Sequence, residues 1–160
     1  MLRPAILSDL PRLFELILAM HAGSKYAERE IDVDATTAKS ILMDGVLRNG
    51  GLHNGSTLLN VVEKDGRVEG FMLGILQRVY SIGNRLEAQD FWLYCTAHAP
   101  SASVHKLIDA YLAWAEDNPK VAEITLSWTN AMQVDGAKLG RLYHRKGFRC
   151  CGEIWKRISQ

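Results

Sequence analysis

The chain carries almost no net charge: nineteen Lys and Arg stand against eighteen Asp and Glu, leaving +1 with His neutral. A domain that holds nucleic acid or an acidic membrane surface through its overall field needs a marked basic excess, so neither partner is argued for. Long apolar runs are also missing. No stretch approaches the roughly 20 residues a membrane helix needs, and no secretory leader is read at Leu2-Arg3-Pro4. Cysteine is scarce and odd in number, three in all, and Cys150 and Cys151 are neighbours that are poorly suited to bridge each other. A reducing, cytoplasmic setting is therefore expected. His98 and His105 flank one loop without a third ligand at a recognised spacing, so no metal site is expected. There is no repeat, no low-complexity segment and no linker.

What is present is a 160-residue chain of 48% hydrophobic residues, which predicts one domain over residues 1–160 with a single sizeable core. The stretch Phe91 to Asn118 organises it: a strand-like run, a loop of small residues, then an amphipathic helix. Val104, Leu107, Ile108, Tyr111, Leu112 and Ala115 form one stripe at the helical period. Ahead of it, Ala99-Pro100-Ser101-Ala102-Ser103 offers Ser101 as a cap and leaves forward-pointing amides that suit a phosphate, or simply begin an ordinary helix.

The remaining elements follow from period and punctuation. Residues 1–5 predict a short strand. Ser8 or Asp9 caps a helix with Pro11 in its first turn, whose buried face is Leu10, Leu13, Phe14, Ile17, Leu18 and His21. Residues 22–33 read as a surface loop in which Tyr26, Glu28 and Glu30 either meet a substrate or are merely solvated. Asp34 caps a second helix that stops at Asn49-Gly50-Gly51. Thr57 to Glu63 and Val68 to Tyr80 form a hairpin about Asp65-Gly66. Leu86 to Ala97 is the next strand, and Val121 to Trp128 lies parallel to it across the organising helix, because such crossovers are right-handed in almost all proteins. Leu139, Leu142 and Tyr143 mark a last helix ended by Gly147, and Phe148 to Ile158 is expected to return as a strand whose edge offers a surface for a homodimer.

In this order the elements resemble those of the GNAT (Gcn5-related N-acetyltransferase) family over nearly the whole chain. Leu2-Arg3-Pro4-Ala5 with Asp9 is similar to the family's first strand and helix, Val61 to Phe71 to its central hairpin, and Leu142-Tyr143 with Gly147-Phe148 to its last helix and following strand. The family usually carries R/Q-x-x-G-x-G/A in the loop before the organising helix. Here Ala99, Ala102 and Val104 stand at the Arg or Gln and the two Gly, in a Ser- and Ala-rich version similar to that of phage and prophage members, whose leading Arg-Gly is here Ala99-Pro100.

The resemblance implies an α/β (α+β) domain with a mixed, mostly antiparallel twisted sheet of six to seven strands, about four helices, and a parallel pair between the fourth and fifth strands. It implies an acetyl-CoA-dependent N-acetyltransferase whose acceptor is a primary amine on a small molecule, a protein or a modified base. Cofactor contacts are implied at Tyr94, Thr96, Ser101, Ala102, Ser103, Val104 and His105. Tyr143 would meet the leaving sulfur, or else pack in the core. Asp90, with Glu87 as substitute, would serve as a base, or else be a solvated carboxylate on a strand. Cys95 reads as buried and inert. Lys138, Arg141, Arg145, Lys146 and Arg149 make the C-terminal part basic, for cofactor phosphates, a nucleic-acid partner or plain solubility. The competing class is a non-catalytic GNAT-fold module that recognises a partner through that basic helix.

Overall fold

The computed structural model describes residues 1–49, 55–129, 131–132 and 134–158. Its described residues form one sheet of five strands in the order β1-β2-β3-β4-β5, with helices on both faces. The strands are β1 (Leu2–Pro4), β2 (Thr57–Lys64), β3 (Arg67–Arg78), β4 (Leu86–Cys95) and β5 (Val121–Thr125), and the helices are α1 (Leu10–Ala22), α2 (Lys25–Glu28), α3 (Ala35–Leu47), α4 (Ser103–Glu116) and α5 (Gly136–Arg145). All neighbouring pairs are antiparallel except β4 and β5, which run parallel as the crossover through α4 requires.

The alternation of the strands sorts the core into two layers. Leu59, Val61, Phe71 and Leu73 pack with Leu13, Leu16 and Ile17 of α1 and Leu42 and Val46 of α3. Leu58, Val62, Met72 and Ala88 face the opposite way and pack with Leu107, Tyr111 and Ala115 of α4. Leu107, Ile108, Tyr111 and Ala115 of the α4 stripe thus bury as its period predicts, while Val104 and Leu112 are half-buried. The hairpin turn is also as read, with Asp65 at φ 51° and Gly66 at φ 76°, the left-handed pair that a two-residue turn matching the strand twist demands.

Five expectations need correction. The sheet has five described strands, not six to seven, because Phe148 to Ile158 forms no strand. Along that segment apolar and charged residues are mixed on both alternating faces. Ile154 and Trp155 stand 74% and 88% exposed, with no sheet face to cover them. Five α-helices are found among the described residues where about four were expected, since the expected loop at 22–33 winds one turn, α2, capped by Ser24 Oγ accepting from the Tyr26 N–H. The β5 strand ends at Thr125 instead of Trp128, because the Ser127 N–H donates to Asp90 Oδ1 at 2.9 Å in place of continuing the ladder. On α1, Leu16 is buried where Leu18 was expected, and Leu18 is exposed. Asp9 holds the cap position of α1 but makes no side-chain cap hydrogen bond to it. Its carboxylate takes both guanidinium nitrogens of Arg3 at 2.7 and 3.0 Å, and Arg3 Nε reaches Glu63 at 2.9 Å, which ties β1 to β2. The expected stop of α3 at Gly50-Gly51 lies outside the described residues; the helix itself ends at Leu47.

Candidate functional site

The site begins with a flaw in the sheet. Between β3 and β4 the register slips, so that Leu73 pairs with Trp92 while Gly74 pairs with Asp90 and Phe91 is left over. Such a bulge bends its strand and re-aims the side chains beside it. On the other side, β4 pairs with β5 only as far as Gln89 opposite Thr125. Beyond that point the two strands part. A cleft of about 850 Å³ opens between them and continues under α1, α2 and α3.

The parting leaves part of the β4 backbone bare. Thr96 donates its N–H to Glu69 O at 2.8 Å, which fixes the phase of the β3 pairing. By the alternation of antiparallel ladders, Thr96 and Tyr94 turn their backbone groups to β3, whereas Leu93 and Cys95 turn theirs to the open edge. Tyr94 lines the cleft with its side chain, but the free amides near it belong to its two neighbours. The Thr96 hydroxyl also donates to the buried Glu69 carboxylate at 2.5 Å and accepts from the His98 N–H at 3.2 Å, pinning the start of the loop that leads to α4. That hydrogen bond, with Arg12 and Arg67 beside it, lowers the Glu69 pKa.

The loop itself departs from expectation in detail. Ser101 does not cap; α4 starts at Ser103 with Ala102 in the cap position and no side-chain hydrogen bond there. The Ser103 N–H is taken by Pro100 O at 2.9 Å and the Lys106 N–H by Ala102 O at 3.0 Å. Among the described residues, the N–H groups of Ser101, Ala102, Val104 and His105 have no protein partner. The Ser103 Oγ is buried and also lacks one. Four open amides at the positive end of a helix of 14 residues, with only small side chains over the first three positions, make a cradle for an anion such as a pyrophosphate. Val104 carries this end into the cleft wall.

At the parting of the strands Asp90 and Tyr143 come together through a residue the sequence did not single out, Ser127. Asp90 accepts from the Ser127 N–H at 2.9 Å and from its Oγ at 3.3 Å, and the Tyr143 hydroxyl donates to Ser127 O at 3.2 Å. Burial raises the Asp90 carboxyl to about 6, against the lowering effect of the Ser127 bonds. Burial, and then the Asp90 charge, push the Tyr143 hydroxyl up to about 12. Glu87 is remote from this cluster: it faces Gln77 on the outer part of the sheet, 3.4 Å away. Cys95 lines the cleft, but burial pushes its thiol up to about 11, which keeps it protonated and weakly nucleophilic. Tyr26 also lines the cleft, from α2, while Glu28 and Glu30 do not. Nothing in the sequence marked Ser127, a lone serine after a short strand. Trp92 and Trp128, also in the lining, lay inside predicted strands with no sign of which face they would take.

No protein-family model matches the chain, and no curated protein does. Solved structures do. A ribosomal-protein-alanine N-acetyltransferase from Brucella melitensis biovar Abortus is 16% identical with a TM-score of 0.62, over 100% of this chain and 99% of its own. An aminoglycoside antibiotic 6'-N-acetyltransferase from Acinetobacter haemolyticus is 15% identical with a TM-score of 0.66, over 100% and 98%. A transcriptional regulator from Bacillus halodurans is 13% identical with a TM-score of 0.69, over 99% of both chains. At these identities the likeness is one of fold, and it is the acetyltransferase fold that the order of elements resembles.

Proposed function

We propose that the protein is an N-acetyltransferase that passes acetyl from acetyl-CoA to a primary amine by direct attack. The observation that carries this reading is one continuous cleft. Leu93 to Cys95 of the bare β4 edge, Val104 in the first turn of α4, and Asp90, Ser127 and Tyr143 at the parting of the strands all line it. The unpaired Ser103 Oγ and the amides of Ser101, Ala102, Val104 and His105 fit a pyrophosphate. The outward groups of Leu93 and Cys95 fit an extended amide-bearing arm laid beside the strand as an extra ladder.

When bound, acetyl-CoA would supply an acyl carbon whose C–S bond breaks as the amine nitrogen forms its C–N bond, the sulfur leaving with the bonding pair. The chain's part is electrostatic and acid–base. The amine attacks after its ammonium proton has gone to solvent, and Asp90, at about 6, takes the second proton, which the nitrogen sheds readily once it is bonded to the acyl carbon. Ser127 orients that carboxylate through both of its oxygens. The Tyr143 hydroxyl, at about 12, lies about 3.5 units above an ordinary thiol, so full proton transfer to the departing sulfur would run uphill by about 5 kcal/mol. Tyr143 therefore serves as a hydrogen-bond donor to that sulfur, turning its single proton from Ser127 O. A protonated Cys95 favours direct transfer over an acylated enzyme.

The test is release of free thiol from acetyl-CoA in the presence of a panel of primary amines, with titration calorimetry of acetyl-CoA alone. Binding with amine-dependent thiol release supports the reading. No heat at millimolar acetyl-CoA would overturn it and leave the non-catalytic module.

A further inference from the structure

The cleft has a composition unlike the rest of the chain. The chain holds four Trp, five Tyr and four Phe, and six of these thirteen (Tyr26, Phe91, Trp92, Tyr94, Trp128 and Tyr143) line this one cleft. Charge is nearly missing from the lining. Among the described residues it includes no Lys or Arg and only two carboxylates, Asp34 and Asp90. Asp34 is exposed, and one of its oxygens is committed to the Thr37 N–H at 2.6 Å as the cap of α3. Asp90 is the one set among the aromatic residues.

We propose that the acceptor is a monoamine with an aromatic or similarly apolar body, its ammonium at Asp90 and its body against Tyr26, Trp92 and Trp128. The inference rests on the acetyl-transfer reading and names the substrate class of that same site. A flat apolar body gains contact from indole and phenol faces, and a lone ammonium is matched by one carboxylate and by the negative faces of the rings. A polyamine or an aminoglycoside would bring further ammonium groups against walls whose one further carboxylate among the described residues, Asp34, is exposed and caps α3, so most of them would lose hydration uncompensated. An amino acid would set its own carboxylate beside Asp90, in a lining that among the described residues holds no Lys or Arg; the ammonium of Lys156 lies outside that lining, on the Tyr26 hydroxyl. At the rim, Lys156 of the C-terminal segment donates its ammonium to the Tyr26 hydroxyl at 3.1 Å, beyond the edge of the ring.

The experiment titrates the full chain, without acetyl-CoA, at pH 7.5 with four probes: 2-phenylethylamine, 2-phenylethanol, phenylalanine and spermidine. Tryptophan fluorescence reports the occupancy beside Trp92 and Trp128. The expected result is that 2-phenylethylamine binds at least tenfold more tightly than each of the others, and that Asp90→Asn removes its preference over 2-phenylethanol. Spermidine or phenylalanine binding as well as 2-phenylethylamine, a preference that survives Asp90→Asn, or no binding by 2-phenylethylamine would each overturn the inference. Thiol release from acetyl-CoA separates the two claims. Turnover with spermidine but no binding of 2-phenylethylamine would leave acetyl transfer standing and sink the monoamine. The predicted binding pattern without acetyl-CoA turnover would do the reverse.

Discussion

Replacing Asp90 with Asn should stabilise the fold at neutral pH while it damages activity. The folded state holds this carboxyl at about 6 against an ordinary value of 3.8. Between those values the folded chain binds more protons than the unfolded one. For this group stability is therefore greatest below about pH 4 and declines as pH rises through about 6. The gap of about 2.2 pH units corresponds to about 3 kcal/mol at about 1.4 kcal/mol per unit, which is a ceiling. The carboxylate is only partly buried and opens on a wet cleft, so a gain of about 1 to 2 kcal/mol is the working figure. Asn has the shape of the neutral acid and no charge to desolvate. Urea unfolding of the two proteins at pH 4 and pH 8 makes the comparison, because every other group titrates in both and cancels. The variant should match the native chain at pH 4 and exceed it by about 1 to 2 kcal/mol at pH 8, or roughly 2 to 8 °C in Tm for a chain of this size. A variant less stable at pH 8 than at pH 4, relative to the native chain, would refute the reasoning. Asp90 would then be an ordinary carboxylate whose ionised form Ser127 stabilises.

Other outcomes follow from the same geometry. In kcat/KM against pH, the native enzyme should show an acid limb near 6 as Asp90 ionises, and Asp90→Asn should flatten it; an unmoved limb would assign the titration elsewhere. Tyr143→Phe keeps the ring contact with Phe148, centroids 6.2 Å apart, and loses the bond to Ser127 O, so stability should fall by only about 1 kcal/mol while kcat drops about a hundred- to a thousandfold. Full activity in that variant would make Tyr143 a packing residue. Gly74→Ala would place its Cβ 2.8 Å from the buried Tyr111 ring, beside the bulge, and should destabilise by about 1 to 3 kcal/mol in urea unfolding. A neutral result would mean that Tyr111, whose hydroxyl holds Thr125 O at 2.9 Å, can move without cost.

Elements set by local chemistry were legible in the sequence. The Asp65-Gly66 turn follows from two left-handed residues in a row, α4 from an unbroken stripe, and the parallel β4–β5 pair from chain handedness. The misreadings have a common physical origin in competition from distant partners. Ser127 gives its amide to Asp90 and ends β5 early, Asp9 answers Arg3 across six residues, and the C-terminal segment finds no neighbour for its ladder. The site followed the same division. Asp90 and Tyr143 could be named from their place in a family-like order. Their junction at Ser127, the Phe91 bulge that turns Asp90 inward and the aromatic wall of Trp92 and Trp128 depend on register, which a one-residue slip inverts.

Acetyl transfer by this chain requires that the glycine-free start of α4 hold the phosphates of acetyl-CoA. Titration calorimetry of acetyl-CoA into the native chain, into Ser101→Glu and into Ala122→Glu tests it most directly. Ser101 and Ala122 are both exposed, one beside the open amides and one on β5, so neither change should unfold the domain. The native chain and Ala122→Glu should bind with the same Kd, and Ser101→Glu at least tenfold more weakly, because its carboxylate meets the pyrophosphate. Equal affinity in all three, or no heat from the native chain, would contradict it.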